Sequence, residues 1–122
     1  MIVHIPALLF LQDLMGTYGS ADGMASLSVI RVGYGHSIEL RLGGKVQLAG
    51  VVGVSGNSVE LFAQIGLPNV VRLIGQLRAQ SELGFEGSDM SFGVSFVLED
   101  DTLTLGISSD GNLKKKHVLQ RV

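Results

Sequence analysis

The chain has 122 residues, a formal net charge of −2 and no cysteine. Hydrophobic residues make up 46% and charged residues 16%, against a usual charged share of about 25%. This composition excludes intrinsic disorder, disulfides, thiolate metal sites and cysteine nucleophiles, and the charge argues against a polyanion binder.

The length is that of one domain over residues 1–122. The mean hydropathy of +0.40 leaves few charges to coat it, which points to apolar surface covered by a partner. No stretch approaches the ~18 consecutive apolar residues of a membrane helix. The longest candidate, Ile2 to Met15, is interrupted by His4, Pro6, Gln12 and Asp13. It has no basic n-region, so it reads as neither a membrane span nor a signal peptide.

The first element reads as a helix. Pro6 suits its first position, where the missing N–H would be unpaired anyway. Ala7 to Met15 follows, apolar almost all round, and Gly16 can end it. Gly16 to Gly23 reads as a flexible loop. Residues 24 to 65 read mostly as strands. Ile38, Leu40 and Leu42 alternate with Ser37, Glu39 and Arg41, the period of a half-buried strand. At Gly43-Gly44-Lys45, a two-residue Gly-Gly turn would pair Leu40 with Gln47 and mix the faces, so a three-residue loop is expected, pairing Leu42 with Val46 and Leu40 with Leu48. A two-residue turn at Gly56-Asn57 pairs Val54 with Val59 and Val52 with Leu61. The rival there is a short helix starting at Asn57, with Glu60 closing a capping box, but the alternation Val59, Leu61, Ala63, Ile65 favours a strand.

Leu67 to Glu82 reads as the second helix. Pro68 opens it, Val70, Val71, Ile74 and Leu77 form its stripe, and Gly84 can follow its end. A hairpin comes next. A turn at Asp100-Asp101 pairs Leu98 with Leu103, Phe96 with Leu105 and Val94 with Ile107, with Met90 and Phe92 extending the same face. Ser109 to Asn112 reads as a turn, and Leu113 to Val122 as a short helix or an edge strand. The order helix–strands–helix–β-hairpin–short tail predicts an α+β fold, an antiparallel sheet flanked by helices.

Chemistry is sparse. Gly53-Val54-Ser55-Gly56-Asn57 misses the nucleophile elbow at its last position, so Ser55 reads as a turn residue. Gly33-Tyr34-Gly35 starts like a dinucleotide fingerprint, but Ile38 and the lack of a following helix break it. His4, His36 and His117 share no metal-ligand spacing, and Glu99-Asp100-Asp101 lacks a calcium-loop pattern. Seven acidic residues and no Lys or Arg lie between Ala79 and Gly111; Lys114-Lys115-Lys116 and Arg121 follow. The lysines read as a solvated terminus guarding an edge strand. No catalytic residue, metal or cofactor is expected.

The run Gly35-His36-Ser37-Ile38-Glu39-Leu40, the strand end Val59-Glu60-Leu61-Phe62-Ala63-Gln64-Ile65-Gly66, and the helix and hairpin after it resemble class I type III secretion chaperones, in particular the multi-effector, invasion and surface-presentation type subgroup. The resemblance implies a bacterial cytoplasmic homodimer without enzymatic activity. Such a protein binds the non-globular amino-terminal segment of secreted effectors and delivers them to the secretion apparatus and its ATPase, without nucleic acid or membrane insertion. An effector segment would add a strand to a sheet edge. Leu8, Leu11 and Met15, with Leu40, Leu48 and Leu61, would line the effector groove. By position in the family, Val70, Val71, Ile74, Leu77 and Arg78 would build the dimer. Family members end in a long amphipathic helix, where this chain has only Leu113 to Val122.

Two other readings compete. A small α+β apolar-ligand binder or enzyme needs a deep pocket with convergent polar groups such as His36 or Asp13. A regulatory or nucleic-acid-binding module would use the basic tail, and would lose salt-sensitive binding without residues 113 to 122.

Overall fold

The computed structural model describes residues 5–55, 58–65, 69–87, 92–109 and 112–122. One helix, α1 (Ile5–Leu14), precedes ten strands: β1 (Gly16–Gly19), β2 (Ala25–Val32), β3 (Gly35–Leu42), β4 (Lys45–Ser55), β5 (Ser58–Ile65), β6 (Val71–Ala79), β7 (Glu82–Glu86), β8 (Phe92–Glu99), β9 (Thr102–Ser109) and β10 (Asn112–Arg121). Each strand pairs antiparallel with the next, and β1 meets β10 to close a barrel. The fold is therefore a β-barrel and not the expected α+β sheet flanked by helices.

The largest correction falls on residues 67–82. No helix forms over the described part; β6 and β7 stand there instead. Val71, Leu73, Gly75 and Leu77 alternate with Arg72, Ile74, Gln76 and Arg78, the period of a strand. Ile74 is the exception on the polar face, 37% exposed, and it alone completes the apparent helical stripe. Gly75 would also weaken a helix interior by about 1 kcal/mol relative to Ala. In the barrel it has a packing reason, because a Cβ there would come within 2.6 Å of the Phe85 ring. Pro68, the expected helix start, lies outside the described residues. Gly84 is a strand residue of β7 and caps no helix.

Elsewhere the alternation reads through. Val54 pairs with Val59 and Val52 with Leu61. Leu98–Leu103, Phe96–Leu105 and Val94–Ile107 also pair as expected. Residues 56–57, 90 and 110–111, on which parts of these turns rest, are outside the described set. The β3–β4 hairpin differs in detail. Leu40 faces Leu48, but Leu42 faces Lys45 across a Gly43-Gly44 turn, and a bulge after Leu40 restores the register. Both glycines have positive φ, 58° and 82°, which the tight turn demands. Gly16 to Gly19, expected as loop, is the short strand β1.

Closure explains the apolar excess. One interior takes in the helix stripe, the inward faces of the strands and, from the expected second helix, Val71 and Leu77. Leu27, Ile38, Leu40, Leu48, Leu61, Leu83, Phe85, Phe96, Leu103, Leu105 and Leu119 are each 0% exposed. Phe85 and Phe96 meet edge to face at 6.1 Å. The helix adds Ala7, Phe10, Leu11 and Leu14 to the same core, an i, i+3, i+4, i+7 stripe. Leu9, Gln12 and Asp13 on its other face are exposed. The helix thus packs its apolar stripe into the barrel core.

Candidate functional site

Among the described residues the interior is lined almost wholly by apolar side chains. His36 is buried on β3, and no described group bonds its Nε2; His117 on β10 also has a buried, unbonded Nε2. Burial pushes both imidazoles below the usual histidine range, with Arg31 adding to the effect at His36 and Lys115 at His117. Asp13 is exposed, so it does not converge with His36 on a pocket. Among the described residues no three His, Cys, Asp or Glu side chains cluster to hold a metal. Glu99-Asp100-Asp101 forms the β8–β9 turn, with Asp100 at φ 55°. Gly33-Tyr34 turns β2 into β3.

The residues expected to line an effector groove are brought together, but inside the barrel. Leu11, Leu40, Leu48 and Leu61 are fully buried, and Leu8 and Met15 pack against them. In this arrangement they form or border the core. The residues expected to form a helical dimer face split by strand geometry. Val71 and Leu77 pack against the core. Ile74 and Arg78 point outward on β6, and Val70 just precedes it at 61% exposure. Arg78 lies over Gly84 and pairs with Glu82 at 3.5 Å and with Glu86. The outer groove beside it, about 460 Å³, is lined by Ile74, Gln76, Arg78, Gly84, Glu86 and Gly87. Its guanidinium is already neutralised by those carboxylates.

The informative feature is the closure between β1 and β10. Arg121, near the end of β10, holds four elements together. Its guanidinium donates to the Met15 carbonyl at 2.6 Å, to the Asp13 carbonyl at 2.8 Å and to Asp101 Oδ1 at 3.0 Å. It also stacks 4.9 Å from the centre of the Tyr18 ring. The Tyr18 hydroxyl donates to the Leu14 carbonyl at 2.7 Å. Burial raises the Tyr18 pKa, with Arg121 opposing that shift. Three carbonyls that end or follow the helix are thereby bonded, as helix C-termini require.

The rest of β10 is different. Tyr18 faces Arg121 and Gly19 faces Gln120 across the closure, and the Val122 N–H donates to the Thr17 carbonyl. No described strand pairs with Asn112 to Leu119 on that side. The Arg121 N–H bonds the Asp101 carbonyl on the β9 side. Backbone groups alternate in direction along a strand, so the N–H and C=O of Lys116 and Val118 point away from β9. Among the described residues this is an unpaired strand edge. A bulge between Leu113 and Lys115 and the lysine run accompany it, both common guards of such edges. Of the two expectations for Leu113 to Val122, a short helix or an edge strand, the strand forms, as the last stave of a barrel. Removing residues 113–122 would remove that stave, so such a truncation does not report on a tail.

The outer wall is mixed. A row across β2 to β6 runs Ile30, Ser37, Val51, Phe62, Arg72. Ile30, Val51 and Phe62 are 56%, 48% and 45% exposed. Beside them Arg72 forks onto the buried Glu60, with its Nη2 2.8 Å from Oε1. The guanidinium pKa is raised by this hydrogen bond and charge. Ser26, Glu39, Arg41, Gln64 and Gln76 occupy other outward positions. The described interior is apolar, where the lumen of a water-filled membrane barrel is polar. No described helix is long and apolar enough to cross a membrane.

Sequence reasoning missed Tyr18, Arg121 and the Glu60–Arg72 pair. Their partners are set by closure and by cross-strand register, and neither has a local signature. Compared with protein-family profiles, with curated proteins and with solved structures, the chain matches none.

Proposed function

We propose that this chain is a polypeptide-binding module with no reaction of its own. The observation that carries this reading is the division between its two surfaces. The described interior is built almost wholly of buried apolar side chains, while Ile30, Val51 and Phe62 stand exposed in one row outside. Exposed apolar side chains gathered along one row of a sheet are what a protein partner covers. A carrier of an apolar small molecule would instead need an open cavity.

The specific form of the proposal is the effector-chaperone reading. The client is a non-globular amino-terminal segment of a secreted protein, held in the bacterial cytoplasm and passed to the secretion apparatus. Its support now comes from the surface, because the helix–strands–helix order it drew on is absent. The test is co-purification of the full chain from its native host, followed by binding of the recovered partner's amino-terminal segment as a peptide. The peptide is expected to bind the wild-type chain and to bind at least tenfold more weakly to Phe62→Asp. Failure to bind any peptide, or an extractable small molecule retained in its place, would contradict the reading.

A further inference from the structure

We infer that the free edge of β10 is a docking site for one extended segment of another protein, carrying acidic side chains, which adds to the barrel as an extra strand. The inference rests on the polypeptide-binding reading and adds to the Ile30, Val51 and Phe62 row a second point of contact with its own partner chemistry.

Three observations converge on β10. First, Lys116 and Val118 direct backbone donors and acceptors away from β9, and no described strand receives them. An extended peptide satisfies such groups by strand addition, and its alternate side chains supply selectivity. Second, the flanking charge is uncompensated. Lys115 and Lys116 are exposed and have no carboxylate within ion-pair distance among the described residues. Arg41, Arg72, Arg78 and Arg121 each pair with one. A partner strand with Glu or Asp facing these lysines gains cross-strand pairs. Third, the same charge disfavours a second copy of this chain. A two-fold antiparallel pairing of β10 with itself would set Lys114-Lys115-Lys116 near its own equivalent, and like charges across strands repel. Lysines that block self-pairing admit a strand of opposite charge, so one device supplies both protection and selectivity.

The test uses the full chain and a fluorescein-labelled peptide of alternating Val and Glu, with a Val–Lys peptide as control. Fluorescence anisotropy is expected to show binding of the Glu peptide at least tenfold tighter than of the Lys peptide, weakening as salt rises. Val118→Pro removes an edge N–H that β9 does not use, and Pro is tolerated on edges. Both it and the double substitution Lys115→Glu with Lys116→Glu should reduce binding at least tenfold while circular dichroism and the melting temperature stay near wild type. The charge reversal lies at exposed positions, so it reports even if the proline variant misfolds. Equal binding of both peptides, binding untouched by the charge reversal, or self-association through β10 seen in sedimentation would overturn the inference. If a co-purified client binds and the β10 variants leave that binding intact, the edge assignment fails and the binding-module reading stands. If neither client nor probe binds, both fail.

Discussion

The two ends of β10 make opposite use of the same strand. At Gln120 to Val122 the strand pairs on both sides, and Arg121 reaches the helix, the β8–β9 turn and the Tyr18 ring. At Asn112 to Leu119 it pairs on one side alone among the described residues, under exposed lysines. A closed barrel removes sheet edges, and here closure is concentrated in a few residues while the remaining edge is left for other use. Stability and accessibility are thus divided along one strand.

The comparison breaks most directly at Arg121. Arg121→Ala leaves the Asp13 and Met15 carbonyls and Asp101 without their donor, and should cost about 3 kcal/mol, from charge-assisted bonds worth roughly 1.5–3 kcal/mol each before water compensates. Urea unfolding checks this, and Arg121→Lys should recover only part of the loss because it cannot fork. Tyr18→Phe is the next effect. It keeps the buried ring against Arg121 but leaves the Leu14 carbonyl unpaired, for about 1 kcal/mol in the same measurement.

Acid should act on the interior. His36 and His117 have folded pKa values below the unfolded value near 6.5, so the unfolded chain binds more protons as pH falls through that range. Stability is therefore full above about pH 6.5 and declines below it, until the folded-state pKa values are passed. His36→Gln should flatten that decline in pH-dependent melting curves, and an unchanged slope would remove His36 from the account. The smallest effect is expected at the free edge. Lys116→Thr should change stability by less than about 0.5 kcal/mol, as exposed substitutions do.

Much of the strand register is legible in the sequence, because alternation over β3 to β5 and over β8 and β9 is local. Val52–Leu61 and Phe96–Leu105 follow from it directly. The segment at β6 was misleading, since an outward Ile74 beside Val70 and Val71 mimics a helical stripe. Closure was not legible. Joining β1 to β10 depends on Tyr18, Arg121 and Val122, residues about a hundred positions apart with no repeating pattern to connect them. The candidate edge was half legible, because Lys114-Lys115-Lys116 marks a guarded strand wherever it lies. The pairing it guards against depends on β1 ending at Gly19.

The division of β10 is tested most directly by native-state amide hydrogen exchange on the uniformly labelled chain. The account predicts that the Arg121 and Val122 amides, bonded to Asp101 and Thr17, exchange slowly. The Lys116 and Val118 amides should exchange orders of magnitude faster, close to the unprotected rate. Equal, strong protection at all four positions would contradict it, because the edge would then be covered by the protein itself.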